Sequence, residues 1–566
     1  MSCTKFKLTT VAALVLAATQ ANAAIYDVVE VSPTGLTTQA TEYFGVAVKP
    51  EDIDKTTATP DELLGCFGSA SCSESTYPIA VESRVTLEGV SYREEVPFAM
   101  DNRFYYLEDY GNFEDYCAGL LQYSTCEGWS SLRWNTWVSE QDISHVNAEA
   151  FIEGVGKVGS YNTVINSIDE TSQPVGVQSD GSSIRHNALA TATVTASTES
   201  RAWDSITVNG KVFNVGSISS AVTNDYGNYF SSKAAIWNAD SSVPVLSEWG
   251  TSVVEKRGDY MAQGSMRAIT YDNASDKLYA VGYNANYASS DIQDMNASVF
   301  VIDTSLTNIE PLTISGPQVD SGGDYKYTNS VATDINDNLL VIGHAKRRIA
   351  EEGTLDNKMF ISQVTSSNNS ASLPTATFIA GGIFFSGVGG NARSVNNFNE
   401  IVGQVDAESI REVDGKERRH RGFIYPYYDA ATAGTEVTRR AIFKDQAWWL
   451  DDLTNDGNVS GNNNMYRIID ASDINDAGVI SATAYRCSVG GVAQGYDTTS
   501  HNAECKFGSG GNEEIVAVKL IPRSSASSDD IQARGTEVAK VERSGAGSGL
   551  LSIALLGLLG FRRKFK

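Results

Sequence analysis

A short pattern that returns along the chain limits its fold more than any other feature. Ser330-Val331-Ala332-Thr333-Asp334-Ile335-Asn336-Asp337 leads to Leu340-Val341-Ile342-Gly343, and Ala392-Arg393-Ser394-Val395-Asn396-Asn397 leads to Glu400-Ile401-Val402-Gly403. A third copy runs from Ala471 to Ser481, with Ser in place of the closing Gly, and weaker ones start at Ala268, Val212 and Val164. Asn and Asp tolerate left-handed backbone angles and bond their own backbone, so each Asn-Asp or Asn-Asn pair marks a turn. The β-branched residues on either side pair as strands, and Gly ends a strand where backbones approach closely. A further strand follows each copy, as in Lys233–Trp237, Ala297–Val301, Lys358–Ile361, Arg421–Tyr425 and Ile515–Val518.

Such a unit cannot bury its apolar face alone, and its copies recur at roughly 40–80 residues, a period that suits four-stranded blades around an axis. The expected fold is all-β: a β-propeller of about seven irregular blades, six to eight, with disulfide-stapled loop insertions. The 566 residues exceed one ordinary compact core, which a closed repeat array accommodates. Gly 49 and Tyr 25 against Pro 12 also favour a turn-rich β body. The stretch 51–160 fits the pattern least; it reads as one or two blades with large insertions, or as an inserted subdomain.

The ends read differently from the body. Lys5 and Lys7, the uncharged run Leu8 to Ala18 and Ala21-Asn22-Ala23 have the order of a signal peptide over 1–23, cleaved after Ala23. Residues 541–566 hold a Gly/Ser stretch with Gly545, Gly547 and Gly549, an apolar run Leu550 to Phe561, and a basic end with Arg562, Arg563 and Lys564. Basic residues beyond an apolar segment hold that end on the cytoplasmic side. The body between is 24–540. Six cysteines remain beyond the signal and form sequence-local pairs, Cys66-Cys72, Cys117-Cys126 and Cys487-Cys505, read as disulfides of an oxidising compartment. The formal net charge of −26 excludes nucleic acid and anionic lipid as natural partners of the body.

The tail resembles the GlyGly-CTERM sorting signals of Gram-negative bacteria, with Gly-Ala-Gly-Ser-Gly where those signals carry Gly-Gly. That resemblance implies a rhombosortase-like intramembrane protease as a partner, besides signal peptidase, and transient membrane contact through the tail. The copies at Ala332–Gly343 and Ala392–Gly403 resemble HAF-type extracellular repeats, and Ala447-Trp448-Trp449-Leu450-Asp451-Asp452-Leu453 resembles the end of such a unit. The whole chain is similar to a family of secreted Gram-negative proteins, a domain of unknown function. The resemblance implies a location at the cell surface or in the medium, with the tail either cut or kept as an anchor.

Catalytic patterns are sparse, and no catalytic residue or cofactor is assigned. His145, His186, His344, His420 and His501 lack His-Glu-x-x-His spacing, and no Gly-x-Ser-x-Gly elbow or phosphate-cradling loop occurs. No metal site is expected; Asp452, Asn455 and Asp456, beside Gly457, are the weak calcium candidates. Trp129, Trp134, Trp137, Trp448 and Trp449 could stack on a sugar, although Trp more commonly fills blade interfaces. The reading is an exported binding or adhesion-type propeller for an extracellular glycan or protein. A secreted hydrolase or lyase using carboxylates in the channel and a structural envelope protein are the alternatives. The hydrolase reading expects carboxylates with raised pKa to converge there, whereas the binding reading expects a solvated, featureless channel.

Overall fold

The computed structural model describes residues 24–536 except 37–39, 41, 70–71, 86–108, 143, 161, 180–186, 193, 195–198, 225–226, 259, 290–291, 319–325, 412–417, 429–435 and 507–509. The signal segment and the sorting tail therefore lie outside the described residues. The copies at Ala268, Ser330, Ala392 and Ala471 are antiparallel pairs, and a further strand adds a third member beside each; the copy at Val212 instead lies inside the single strand Lys211–Asn224, and Asn166 sits within the strand Thr163–Ile168, so neither Asn214 nor Asn166 marks a turn. Seven such sheets succeed one another, so the expected β-propeller has seven blades.

Blade 1 holds Glu42–Val48, Ile79–Arg84, Ala148–Ile152 and Gly156–Val158; blade 2 holds Thr163–Ile168, Pro174–Gln178 and Asn187–Leu189. Blades 3, 4 and 5 begin at Glu199–Val208, Gly264–Asp272 and Tyr327–Ile335, and blade 6 at Gly390–Val395. Blade 7 is composite. Its inner three strands are Tyr466–Ile474, Ile480–Val489 and Gly511–Pro522, and its outer strand, β1, is Tyr26–Glu30 from the other end of the chain. Nothing in the composition of Tyr26–Glu30 points to its partner at the other end of the chain.

Apolar clusters lie between neighbouring blades. Val299 and Val301 of blade 4 meet Ala332, Ile335 and Val341 of blade 5, and Ile342 and Ile361 of blade 5 meet Ala392, Val395 and Ile401 of blade 6. Each sheet thus covers the apolar side its neighbour would expose, which is why the units need one another. The three cysteine pairs are bonded as expected. The segment 51–160 holds three strands of blade 1 and two insertions. The second insertion carries α1 (Tyr110–Tyr116) and α2 (Cys126–Gln141), joined by Cys117–Cys126. Among the described residues no helix is long and apolar enough to cross a membrane.

The seven inner strands share one irregularity. Each slips register against its neighbour at an equivalent place, where the skipped residues are Val46, Asn166, Trp203, Arg267, Thr333, Arg393 and Ser472; the inner strands of blades 5 and 7 slip a second time nearer their starts. A bulge re-aims one side chain and bends its strand. Here it turns seven side chains into the axis of the ring, all at one level.

Candidate channel site

Around the axis lies a channel of about 1470 Å³, walled by the inner strands and the turns that follow them. Three bulge residues clasp the next blade: Asn166 Nδ2 donates to Ala202 O at 2.7 Å, Thr333 Oγ1 to Ala392 O at 2.9 Å and Ser472 Oγ to Gly45 O at 2.6 Å. The other four are an aliphatic group, an indole and two guanidiniums. The Arg267 guanidinium lies 3.4 Å from the centroid of the Trp203 ring. Arg393 pairs with Asp470 of blade 7 at 3.0 Å. His344, on the second strand of blade 5, also faces the channel.

The residue after the bulge is Asp204, Asp334 or Asp473 in blades 3, 5 and 7. Each carboxylate bridges to the next blade, accepting from Ile269 N at 3.1 Å, Val395 N at 2.8 Å and Val48 N at 2.8 Å. The second oxygen of each accepts from the backbone N–H that follows it. These groups face the channel and are only partly accessible. Desolvation pushes Asp334 up to about 8, with Asp204 and Asp473 adding like charge, and Asp204 up to about 7. Asp473 is raised for the same reason.

The turn residues continue the bridging. Asn336 Nδ2 donates to Asn396 O, Asn396 Nδ2 to Asn475 O, and Asn475 Nδ2 to Lys49 O. Each side-chain oxygen meanwhile accepts from its own turn, at Leu340 N, Glu400 N and Val479 N. The repeated Asn therefore shapes the turn and staples the blades.

Asp334 supplies a pH test. Its folded pKa lies above the ordinary value of 3.8, so between about pH 4 and pH 8 the folded chain holds a proton that the unfolded chain has lost. Stability then falls as pH rises through that window. Asp334→Asn keeps one acceptor and misplaces a donor, which should cost about 1–3 kcal/mol at pH 5.5. By pH 8.5 the gap to wild type should narrow, because only wild type carries the buried charge. Thermal unfolding at both pH values checks this, and an unchanged gap would count against it.

Blade 1 reaches other blades on both faces of the ring. On the face of the Asn turns, its first insertion brings Ile53 N to Asp476 Oδ2 at 3.2 Å, and Lys55 Nζ to Asn338 Oδ1 at 3.0 Å and Asn397 O at 2.7 Å. Those partners lie on blades 7, 5 and 6. On the opposite face the helical insertion reaches blade 5, where Lys346 Nζ donates to Leu120 O at 2.6 Å.

The residues singled out from sequence sit elsewhere. Trp129 and Trp134 belong to α2, where Trp129 stacks on Tyr116 and Trp134 meets Phe113 edge-on. Trp137 lies on the same helix. Trp448 and Trp449 form the two-residue outer strand of blade 6; the Trp448 indole donates to Phe443 O, and Trp449 packs edge-on against His501. Asp452 Oδ1 accepts from His501 Nε2 at 3.0 Å and from Arg534 N at 2.6 Å. Asn455 and Asp456 accept from Gly457 N and Asn458 N within their own turns. Among the described residues no three His, Cys, Asp or Glu side chains are grouped to hold a metal.

Trp203, Arg267, His344 and Arg393 were not singled out. A sequence signal marks one of them: Arg393 holds the position after Ala that is Thr333 and Ser472 in the other two strong copies.

The fold and this site define a closed seven-bladed propeller with a channel along its axis. The pattern of the DUF3466 family, described as "Protein of unknown function", matches residues 213–564, and the chain belongs to that family. Blades 1 and 2 precede the matched stretch. No curated protein matches the chain. Among solved structures it is similar to a protein of unknown function from Dyadobacter fermentans DSM 18053, at 8% identity and TM-score 0.31, covering 86% of this chain and 99% of that one. It is also similar to YjhT (11% identity, TM-score 0.25, 54% and 83% covered) and to sucrose-6-phosphate hydrolase from Lactobacillus gasseri (9%, 0.22, 57% and 79%). None of these likenesses says what this chain does.

Proposed function

We propose that the chain is an exported ligand-binding propeller whose site is the central channel at the level of the bulges. The leader over 1–23 carries it across the inner membrane, and the GlyGly-CTERM-like tail delivers it to the surface or the medium. The HAF-type repeats supply the blades.

The channel is not the featureless one expected of a binding protein, and its features, not their absence, carry the binding role. At seven equivalent positions facing one cavity, Asn166, Thr333 and Ser472 clasp the next blade by hydrogen bonds, while Val46, the stacked pair Trp203 and Arg267, and Arg393, ion-paired with Asp470, bring unlike chemistry to the cavity. A channel that only held blades together has no use for that variety. The raised aspartates are what a channel hydrolase would need, but both oxygens of Asp204, Asp334 and Asp473 are engaged by backbone N–H groups. That engagement favours binding over hydrolysis.

The test is a thermal-shift screen of the purified chain against glycans, sugar acids and secreted proteins, beside Val46→Trp, which narrows the channel at the bulges and replaces none of the clasping side chains. Some ligand is expected to raise the melting temperature of wild type and not of the variant. Silence across the panel, or equal binding by Val46→Trp, would overturn the reading.

A further inference from the structure

We propose that the channel ligand is an anionic sugar, a saccharide carrying carboxylate or sulfate groups, held on the arc formed by Arg267, His344 and Arg393. This rests on the channel being the binding site and names the chemistry it selects.

The arc runs over three consecutive blades. Arg267 and Arg393 occupy equivalent bulges in blades 4 and 6, and His344 stands on blade 5 between them. All three line the cavity, with Thr333 and Asn391 beside them. The chain has 43 Lys and Arg against 69 Asp and Glu, so two guanidiniums at one level of its axis run against the general charge. A guanidinium presents a planar fork of donors that matches carboxylate and sulfate oxygens. Arg267 lies flat over the Trp203 indole, and a stacked guanidinium of this kind is pre-organised, so less rotamer freedom is lost when a ligand binds.

His344 supports the same sign. Burial and the charges of Arg393 and Arg267 hold its pKa down to about 3, so the ring is neutral, and its Nδ1 has no hydrogen-bond partner among the described residues. A neutral imidazole beside two cations suits a hydroxyl adjoining an acidic group. The volume of about 1470 Å³ exceeds the roughly 300–1,000 Å³ of common small-ligand pockets. An oligosaccharide therefore fits better than a single ring. Asp204, Asp334 and Asp473 are held by the blade bridges, and Asp470, which lines the same cavity, pairs with Arg393, so an acidic ligand takes the place of Asp470 on that guanidinium.

The experiment is calorimetric titration of the full chain with short glucuronate oligomers, sulfated glucose oligomers and neutral glucose oligomers of equal length. Wild type, Arg393→Gln, Arg267→Gln and Val46→Trp are compared. Arg393 is half-exposed, so its variant should fold even if the variant of buried Arg267 does not. The acidic oligomers, of one kind or both, should bind wild type, Arg393→Gln should weaken them at least tenfold, and neutral oligomers should bind far less. Neutral oligomers binding as tightly, with Arg393→Gln unchanged and Val46→Trp inactive, would overturn the anionic class and leave the channel reading standing. Binding that survives Val46→Trp, or none by any oligomer, would overturn the proposal, and the former would remove the channel reading with it.

Discussion

Deleting Ala24–Val31 is expected to abolish cooperative folding of the ring. The strand β1 is short, yet Ile25 and Tyr26 are fully buried and Val28 and Val31 nearly so. Tyr26 pairs with Pro522 and Glu30 with Val518, so β1 completes blade 7 from the far end of the chain. Asn463 fastens it on the other side, donating to Tyr26 O at 2.9 Å and accepting from Val28 N at 3.0 Å. Burying three large apolar side chains contributes about 1.5–3 kcal/mol each, which together approaches the 5–15 kcal/mol that holds a typical domain. Losing them also exposes the edge of Gly511–Pro522, an unpaired strand open to aggregation. The deletion should give a broad, low transition in circular dichroism and early proteolysis within 466–522. Val28→Pro, which removes the N–H bonded to Asn463, should fall between the deletion and wild type. A deletion mutant that melts sharply within about 2 °C of wild type would show that the ring closes without its strand.

The contrast between β1 and the blades shows what a sequence of this kind reveals. Asn336, Asn396 and Asn475 were legible because one residue type does two local jobs, turn and staple, and so recurs with the same neighbours. The third strands were legible because burial on both faces leaves runs such as Ala297–Val301 almost without charge. Closure was not legible: β1 meets a partner nearly five hundred residues away, and nothing in its own composition points there. The channel site was hidden for a related reason. Trp203, Arg267 and Arg393 come together through a bulge that moves one residue out of register, and strict two-residue alternation assigns such residues to the wrong face. Trp129 and Trp448 drew attention by residue type, yet their surroundings are a helical insertion and a blade edge.

Arg439→Met should lower stability by about 3–5 kcal/mol, because it strands a buried carboxylate. Arg439 sits on α3 (Glu436–Ile442), in the insertion between the third and fourth strands of blade 6. Its guanidinium and the Glu400 carboxylate are each 1% exposed, joined by Nε to Oε1 at 3.0 Å and by Nη2 to Oε2 at 2.5 Å. Nη1 donates to Asp476 O of blade 7, and the plane lies 4.1 Å from the Phe398 centroid, with Phe67 of blade 1 at 5.7 Å. One side chain thus ties the blades on either side of the closure. Glu400 Oε2 also accepts from Asn396 Nδ2, so an unpaired Glu400 would disturb the staple that reaches Asn475. Denaturant unfolding of Arg439→Met, Glu400→Gln and the double variant separates two causes. If the stranded charge is the cause, the double variant should recover much of the loss, since neither buried charge then remains. If loss of packing against Phe398 and Phe67 dominates instead, the two losses add. A single Arg439→Met loss below about 1 kcal/mol would place the pair among contacts that contribute little.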